Sequence, residues 1–228
     1  MPDYFINANV HMRDAARVRR AVTDIFAAQG FTPLADTPAS AVVEDDDALP
    51  PGSDWYGVMV SGPSGRGWVS VYVDDWQDSG LLSRALSEAL TVEVVEIWVA
   101  EDVHWGCTLF ENGAVTDRYA DDPQSVAETP EEAALYAGRA EAYAALLAQP
   151  ADALQAALGT ARSKAGEFAG PGVDALAAAV GLPFEHVFTG YEFFFSDDPE
   201  DYGPSLEQWG QFRHLAFRPP PGRETLAD

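Results

Sequence analysis

The chain has 228 residues, and its 47% hydrophobic and 22% charged residues exclude a disordered or fibrous protein. Its 37 Asp and Glu residues outnumber the 13 Lys and Arg residues, which gives a formal net charge of −24. This charge repels phosphate groups, so we expect binding neither to nucleic acid nor to an anionic membrane. It favours a basic protein or a cation as partner. Salt adaptation or genome composition would give the same acidity without a specific partner.

Cys107 is the only cysteine of the chain, which excludes an intrachain disulfide and a zinc site of paired cysteines. The N-terminal residues lack the basic and apolar segments of a signal peptide. No apolar run approaches the ~18 residues of a membrane span. We therefore expect a cytoplasmic protein.

Apolar spacing in the first 100 residues alternates between the periods of strands and helices. The predicted elements are a strand at 4–10, a helix at 13–29, strands at 55–60 and 68–73, a helix at 81–90 and a strand at 93–100. Between them, 32–54 is rich in Pro, Asp and Ala and predicts a long loop with a short strand at 41–43. This order of elements is that of the ferredoxin-like βαββαβ unit.

A hairpin follows, because Asn112-Gly113 suits a type I′ turn between strands at 104–111 and 114–119. Next, Thr129-Pro130-Glu131-Glu132 forms a capping box. The remaining predictions are a helix from this box to about 149, a helix at 150–159, a repeat of 152–159 at 174–181, and strands at 191–196 and 211–218. We predict an α+β fold with an antiparallel sheet in 1–125 and a mainly helical region in 126–228, sharing one core.

Aromatic residues of the strands provide the first candidate site. If the valine-rich strand faces pack on the two helices, the opposite face carries Trp68, Tyr72 and Trp98 around Glu96, with Asn7 and Asn9 nearby. That face is either a ligand-binding surface or a face covered by the C-terminal helices. We expect the covered arrangement, since large exposed apolar patches are rare on monomers. Glu96 would then have a raised pKa.

Charged clusters provide two further candidates. Arg13, Arg17 and Arg20 are predicted on one face of the first helix, where they either contact an anion or partner or pair with nearby carboxylates. Carboxylates in loops could chelate calcium or magnesium weakly. The densest such cluster consists of Asp197, Asp198, Glu200 and Asp201. Solvated loops without a dedicated metal are the simpler interpretation of these clusters.

The chain lacks the usual sequence signatures of catalysis. Its four histidines form no zinc-binding pair, and His104 and Cys107 are predicted on opposite strand faces. The glycine-rich loop at 62–67 lacks the ending of a P-loop. The leading hypothesis is therefore a non-enzymatic, acidic interaction protein that binds a basic protein and needs no cofactor. The alternative is a small hydrolase or ligand-binding enzyme with its pocket on the aromatic face near Glu96.

Overall fold

The computed structural model describes residues 4–44, 55–146, 150–195, 211–223 and 225–226. The fold is a mixed α+β arrangement around one eight-stranded antiparallel sheet. The strands are β1 Tyr4–His11, β2 Thr32–Pro38, β3 Tyr56–Val60, β4 Trp68–Val73, β5 Glu93–Ala100, β6 His104–Glu111, β7 Ala114–Ala120 and β8 Arg213–Arg218. Their spatial order is β2-β8-β3-β4-β1-β5-β6-β7. The sheet therefore combines strands from both ends of the chain.

The helices lie between and after these strands. They are α1 Ala15–Ala28, α2 Ala39–Glu44, α3 Ser79–Leu90, α4 Pro123–Val126, α5 Pro130–Ala133, α6 Ala151–Ser163, α7 Gly170–Val180 and α8 Phe184–Val187. Helix α1 begins after Asp14, whose side chain accepts the N–H of Arg17, the usual role of an N-cap. The predicted turn also forms, with Asn112 at φ 50° and Gly113 at φ 76°.

The predicted loop at 32–54 was wrong over its first part, because 32–44 forms strand β2 and helix α2. Strand β2 lies at the sheet edge and pairs with β8, which is far away in sequence. Pro33 and Pro38 are compatible with this place, because an edge strand has N–H groups that need no partner. Residues 45–54 lie outside the described residues.

The predicted helix lengths in the second half were also wrong. The capping box forms, with Thr129 Oγ1 accepting the N–H of Glu132 at 3.1 Å, but helix α5 ends at Ala133. Gly138 takes a positive φ of 68° and donates its N–H to Arg118 O of the edge strand at 2.9 Å. The chain near Gly138 therefore pairs with edge strand β7 instead of continuing as a helix.

The two copies of the short repeat behave differently. Helix α6 continues past Gly159 to Ser163. Gly181 does end helix α7, with a φ of 75°. Asp174, however, lies within that helix instead of at its start. The predicted strand at 191–196 was wrong too, since Tyr191–Phe195 is a 3₁₀ helix.

Two hydrophobic layers cover the two faces of the sheet. One face packs on helices α1 and α3, and we call it the α1/α3 face; its strand residues include Ala8, Val10, Val69, Val71 and Val94. The other packs on helices α6 and α7, and we call it the C-terminal face; its strand residues include Phe5, Trp68, Val95, Ile97 and Trp105. Residues before and after position 125 meet on the C-terminal face.

Candidate functional site

Trp68 and Tyr72 lie on the C-terminal face, where the second half of the chain covers them completely. Both side chains are 0% exposed. Trp68 Nε1 donates to Val180 O at 3.0 Å, and Tyr72 OH donates to His186 O at 2.8 Å. The polar atoms of both rings are thus satisfied inside the fold, as buried aromatic groups require.

The predicted grouping of Trp68, Tyr72, Glu96 and Trp98 on one face was wrong. Ala8 of β1 lies opposite Val71 of β4 and also opposite Glu96 of β5. Residues directly opposite each other share a face of the sheet, so Glu96 lies on the α1/α3 face together with Val71. Trp98 follows Glu96 by two positions and shares that face. The valines of β4 and those at Val95 and Val99 of β5 therefore lie on opposite faces of the sheet, not on one face as predicted.

Glu96 is a buried carboxyl group beside the start of helix α3. It is 7% exposed, and Ser83 Oγ donates to its Oε2 at 3.0 Å. Burial raises its pKa to about 6, while hydrogen bonds from Ser83 and Ser79 act in the lowering direction. The raised pKa agrees with the sequence expectation, although α3 rather than an aromatic pocket surrounds the carboxyl. Glu96 is not among the residues that line the four cavities described for this part of the chain, whose volumes are about 230 to 770 Å³.

A buried polar network lies under the cover of the C-terminal face. Asn7 Nδ2 donates to Val187 O at 2.8 Å and to Thr189 O at 3.0 Å. Asn9 Nδ2 donates to Asn7 Oδ1 at 2.7 Å, and Ser70 Oγ donates to Asn9 Oδ1 at 2.8 Å. All of these side chains are 0% exposed. The network joins the first strand to a segment about 180 residues later and so holds the segment of Val187 and Thr189 against the sheet.

The predicted arginine face is only partly formed. Arg17 and Arg20 are exposed on helix α1, whereas Arg13 precedes the helix, because the chain enters α1 through the N-cap residue Asp14. The Arg13 stem lies over Gly67, where an added Cβ would be 2.7 Å from Arg13 Cγ. Arg19 Nε lies 3.9 Å from Asp36 Oδ2. Arg17 and Arg20 therefore line one shallow groove on helix α1, whereas Arg13 lies apart from it.

The candidate metal ligands Asp197, Asp198, Glu200 and Asp201 lie outside the described residues. In the part that the structure describes, no group of three or more His, Cys, Asp or Glu side chains is placed to hold a metal ion. Cys107 is buried in the core, with its Sγ 3.2 Å from Tyr143 OH. It lies away from His104, as the alternation of strand faces predicts.

A second grouping, which the sequence argument missed, lies where the β6–β7 hairpin meets helices α6 and α7. Asp121 is 3% exposed, and its Oδ1 accepts the N–H of Trp105 at 3.0 Å. Its Oδ2 lies 3.8 Å from His104 Nδ1, a buried nitrogen without a hydrogen-bond partner among the described residues. We call the adjoining cavity the Asp121 cleft. A carboxylate oxygen without a hydrogen bond can accept a donor from a ligand.

The walls of the Asp121 cleft are mainly apolar, and its volume is about 230 Å³. The indole of Trp105 packs closely on helix α7, because a Cβ at Gly172 would lie 2.4 Å from Trp105 Nε1. Phe168, 58% exposed, stands at the rim. Lys164 and Glu167, also lining residues, form an exposed ion pair at 4.0 Å.

The sequence contained only part of the signal for this grouping. The Asn112-Gly113 turn pairs Phe110 with Val115, and a register shift between Leu109 and Phe110 then places Gly106 opposite Ala120. Extending the shifted register by one residue brings Trp105 beside Asp121. The missing parts were this shift and the position of α6 and α7, because no local pattern predicts which helices close the cleft.

A larger and more open groove of about 770 Å³ lies at the other side of the sheet, near the chain end. It contains two carboxylates, Asp74 and Asp75, and two guanidinium groups, Arg218 and Arg223. This mixture of charges defines no single ligand chemistry.

Comparison of the chain with protein-family profiles, curated proteins and solved structures gave no significant match. Among the described residues, no helix combines the length and apolar character that a membrane crossing requires.

Proposed function

We propose that this chain is a non-enzymatic, acidic interaction protein that binds a basic protein partner. The observation that carries the proposal is the formal net charge of −24. A field of this size raises the rate of encounter with a positively charged surface and disfavours acidic partners. Exposed carboxylates occur on several elements and give the field a broad surface; they include Asp24, Glu88, Glu101, Glu131, Glu141 and Asp174.

The burial of Trp68 and Tyr72 under the second half of the chain supports this proposal over the alternative of an enzyme. The alternative needs Glu96 and the aromatic rings to line one pocket, whereas Trp68 and Glu96 lie on opposite faces of the sheet. A chain whose sheet is covered on both sides offers its outer surface to partners. We place this function in the cytoplasm, because the chain has a single cysteine and needs no disulfide.

Two finer features complete the proposal. We infer that β1, β3, β4 and β5, together with α1 and α3, form a ferredoxin-like unit; the neighbour order β3-β4-β1-β5 supports this assignment. We also propose that calcium or magnesium binds weakly to Asp197, Asp198, Glu200 and Asp201, a cluster in which four carboxylates occur within five residues.

The test of the proposal is capture of partners from the native host at two salt concentrations. The tagged protein is used as bait at about 50 mM and about 500 mM NaCl, across which electrostatic screening increases strongly. We expect a basic protein to bind at low salt and to be released at high salt. A bait with neutral substitutions at exposed carboxylates, such as Glu88→Gln with Glu131→Gln and Glu141→Gln, should capture less. Failure to recover any basic protein at low salt would overturn the proposal.

A further inference from the structure

We propose that the Asp121 cleft binds an alkylammonium group, with the charged nitrogen on the Asp121 carboxylate and the alkyl stem along the apolar walls. The volume of about 230 Å³ is smaller than the roughly 300 Å³ at which drug-sized sites begin. A ligand that fits is therefore a short chain with one charged end. All residues that line the cleft belong to the described part of the chain.

The polar end of the cleft has the chemistry of a cation acceptor. A buried carboxylate is costly unless it is paired or fully hydrogen-bonded. Asp121 Oδ1 has one donor, the N–H of Trp105, while the 3.8 Å between Oδ2 and His104 Nδ1 exceeds a hydrogen bond. An ammonium group brings three donors and no acceptor. One ammonium in the cleft can therefore donate to Oδ2 of Asp121.

The rest of the cleft suits methylene groups. Trp105 forms one wall, and small alanine side chains of the two helices leave space beside it; those lining the cleft are Ala157, Ala161 and Ala175. Lys164 lines the cleft, but its ammonium pairs with Glu167. The nearby Arg162 guanidinium donates to backbone carbonyls, those of Ala120, Tyr136 and Ala137. The carboxylate floor excludes anionic ligands, and a neutral alcohol would leave the Asp121 charge uncompensated.

Two sources could supply this chemistry. One is a free small amine, and the other is a lysine side chain of a basic protein, a source that rests on the function proposed above. A lysine side chain has the same four-carbon stem and terminal ammonium, and its backbone would remain at the mouth, near Phe168.

The experiment is calorimetric titration of the full chain with n-butylamine, the side-chain analogue of lysine, and with n-butanol as the neutral counterpart. We expect saturable binding of the amine and none of the alcohol. Asp121→Asn keeps the acceptor for the Trp105 N–H but removes the charge, and it should weaken amine binding about tenfold or more. Asp122→Asn is the matched control, because Asn also caps helix α4, and it should leave binding unchanged.

A second variant keeps the test decisive if Asp121→Asn does not fold. Ala175→Leu fills the cleft and leaves the carboxylate in place, so it should also abolish binding. Absence of saturable amine binding, equal affinity in the Asp121→Asn protein, or equal affinity for the alcohol would each overturn the assignment.

Blocked lysine, N-acetyl-lysine amide, distinguishes the sources: its binding supports a partner's lysine, and its exclusion while n-butylamine binds supports a free amine. A failed partner capture with intact amine binding would remove the proposed function and leave the cleft assignment standing.

Discussion

The two faces of the sheet are stabilised in different ways. The α1/α3 face combines aliphatic side chains with a cluster of rings from Phe26, Phe31, Tyr56 and Phe217, and its two helices are close in sequence to strands β1, β4 and β5. The C-terminal face carries buried rings and a network of buried amides and hydroxyls. Asn7 and Trp68 bond to carbonyls more than 100 residues away, and Ser70 bonds to Asn9, which is 61 residues away. Local apolar periodicity can therefore specify the first face, whereas the second depends on long-range polar contacts that must all form together.

The largest expected effect tests how much the C-terminal face contributes to stability. Trp68→Ala removes a fully buried indole and its hydrogen bond to Val180 O, and it should lower the free energy of unfolding by about 3–5 kcal/mol. Trp98→Ala, on the other face and only half-buried, is the control and should cost clearly less. Urea denaturation measures both values, and a loss at Trp98 equal to that at Trp68 would contradict the comparison.

The polar network provides the next test of the same face. Asn7→Ala leaves Val187 O and Thr189 O without their donor, and the expected loss in unfolding free energy is about 2–4 kcal/mol. Gln124→Ala, at an exposed position, should change stability by less than about 0.5 kcal/mol. The same urea titrations apply. A neutral Asn7→Ala variant would show that the network is not needed to hold the cover in place.

A smaller effect concerns Glu96, a buried carboxyl group on the largely apolar α1/α3 face. Its pKa is raised from 4.5 to about 6, so the folded protein keeps this proton at a pH where the unfolded chain has lost it. The resulting stabilisation is present below about pH 4.5 and is lost as pH rises to about 6. Glu96→Gln should therefore gain stability relative to the wild type across this window, by about 2 kcal/mol above it.

The difference between variant and wild type is the quantity to measure, because the two faces have opposite pH dependence. Burial lowers the pKa of His186 and of His214 on the C-terminal face to about 4, so their contribution is lost as pH falls below 6.5. Thermal or urea unfolding of Glu96→Gln, wild type and the exposed control Glu88→Gln at several pH values separates these contributions. A constant difference between Glu96→Gln and wild type from pH 4 to pH 7 would contradict the raised pKa.

The smallest expected effect comes from cations at the surface. Repulsion among 37 acidic residues disfavours the compact state, and multivalent ions reduce it. Millimolar calcium or magnesium should raise the melting temperature, and sodium chloride of equal ionic strength should match a diffuse effect. A shift with calcium alone that is lost in Asp198→Asn would instead identify a specific site. An unchanged melting temperature in all three salts would contradict the prediction.

The comparison of faces also explains what the sequence could predict. Apart from β2 and α2, strand and helix positions up to Ala120 follow from local periodicity, and the Asn112-Gly113 turn fixes the pairing next to it. The pairing of β2 with β8 could not be predicted, because Thr32 and Arg218 are far apart in sequence and meet only when the sheet has formed. The placing of Glu96 failed for the same reason, since the registers of β4 and β5 against the strand between them, β1, decide which face each side chain occupies. The Asp121 cleft needs the hairpin register and the docking of α6 and α7 together.

The central claim is that the second half of the chain covers the C-terminal face, so that residues 1–125 and 126–228 fold as one unit. Limited proteolysis of the full chain, followed by unfolding of any stable fragments, tests it most directly. We predict a single cooperative unfolding transition of the intact protein and no fragment ending near residue 125 that folds alone. Two stable fragments on either side of that position, each with its own cooperative transition, would contradict the claim.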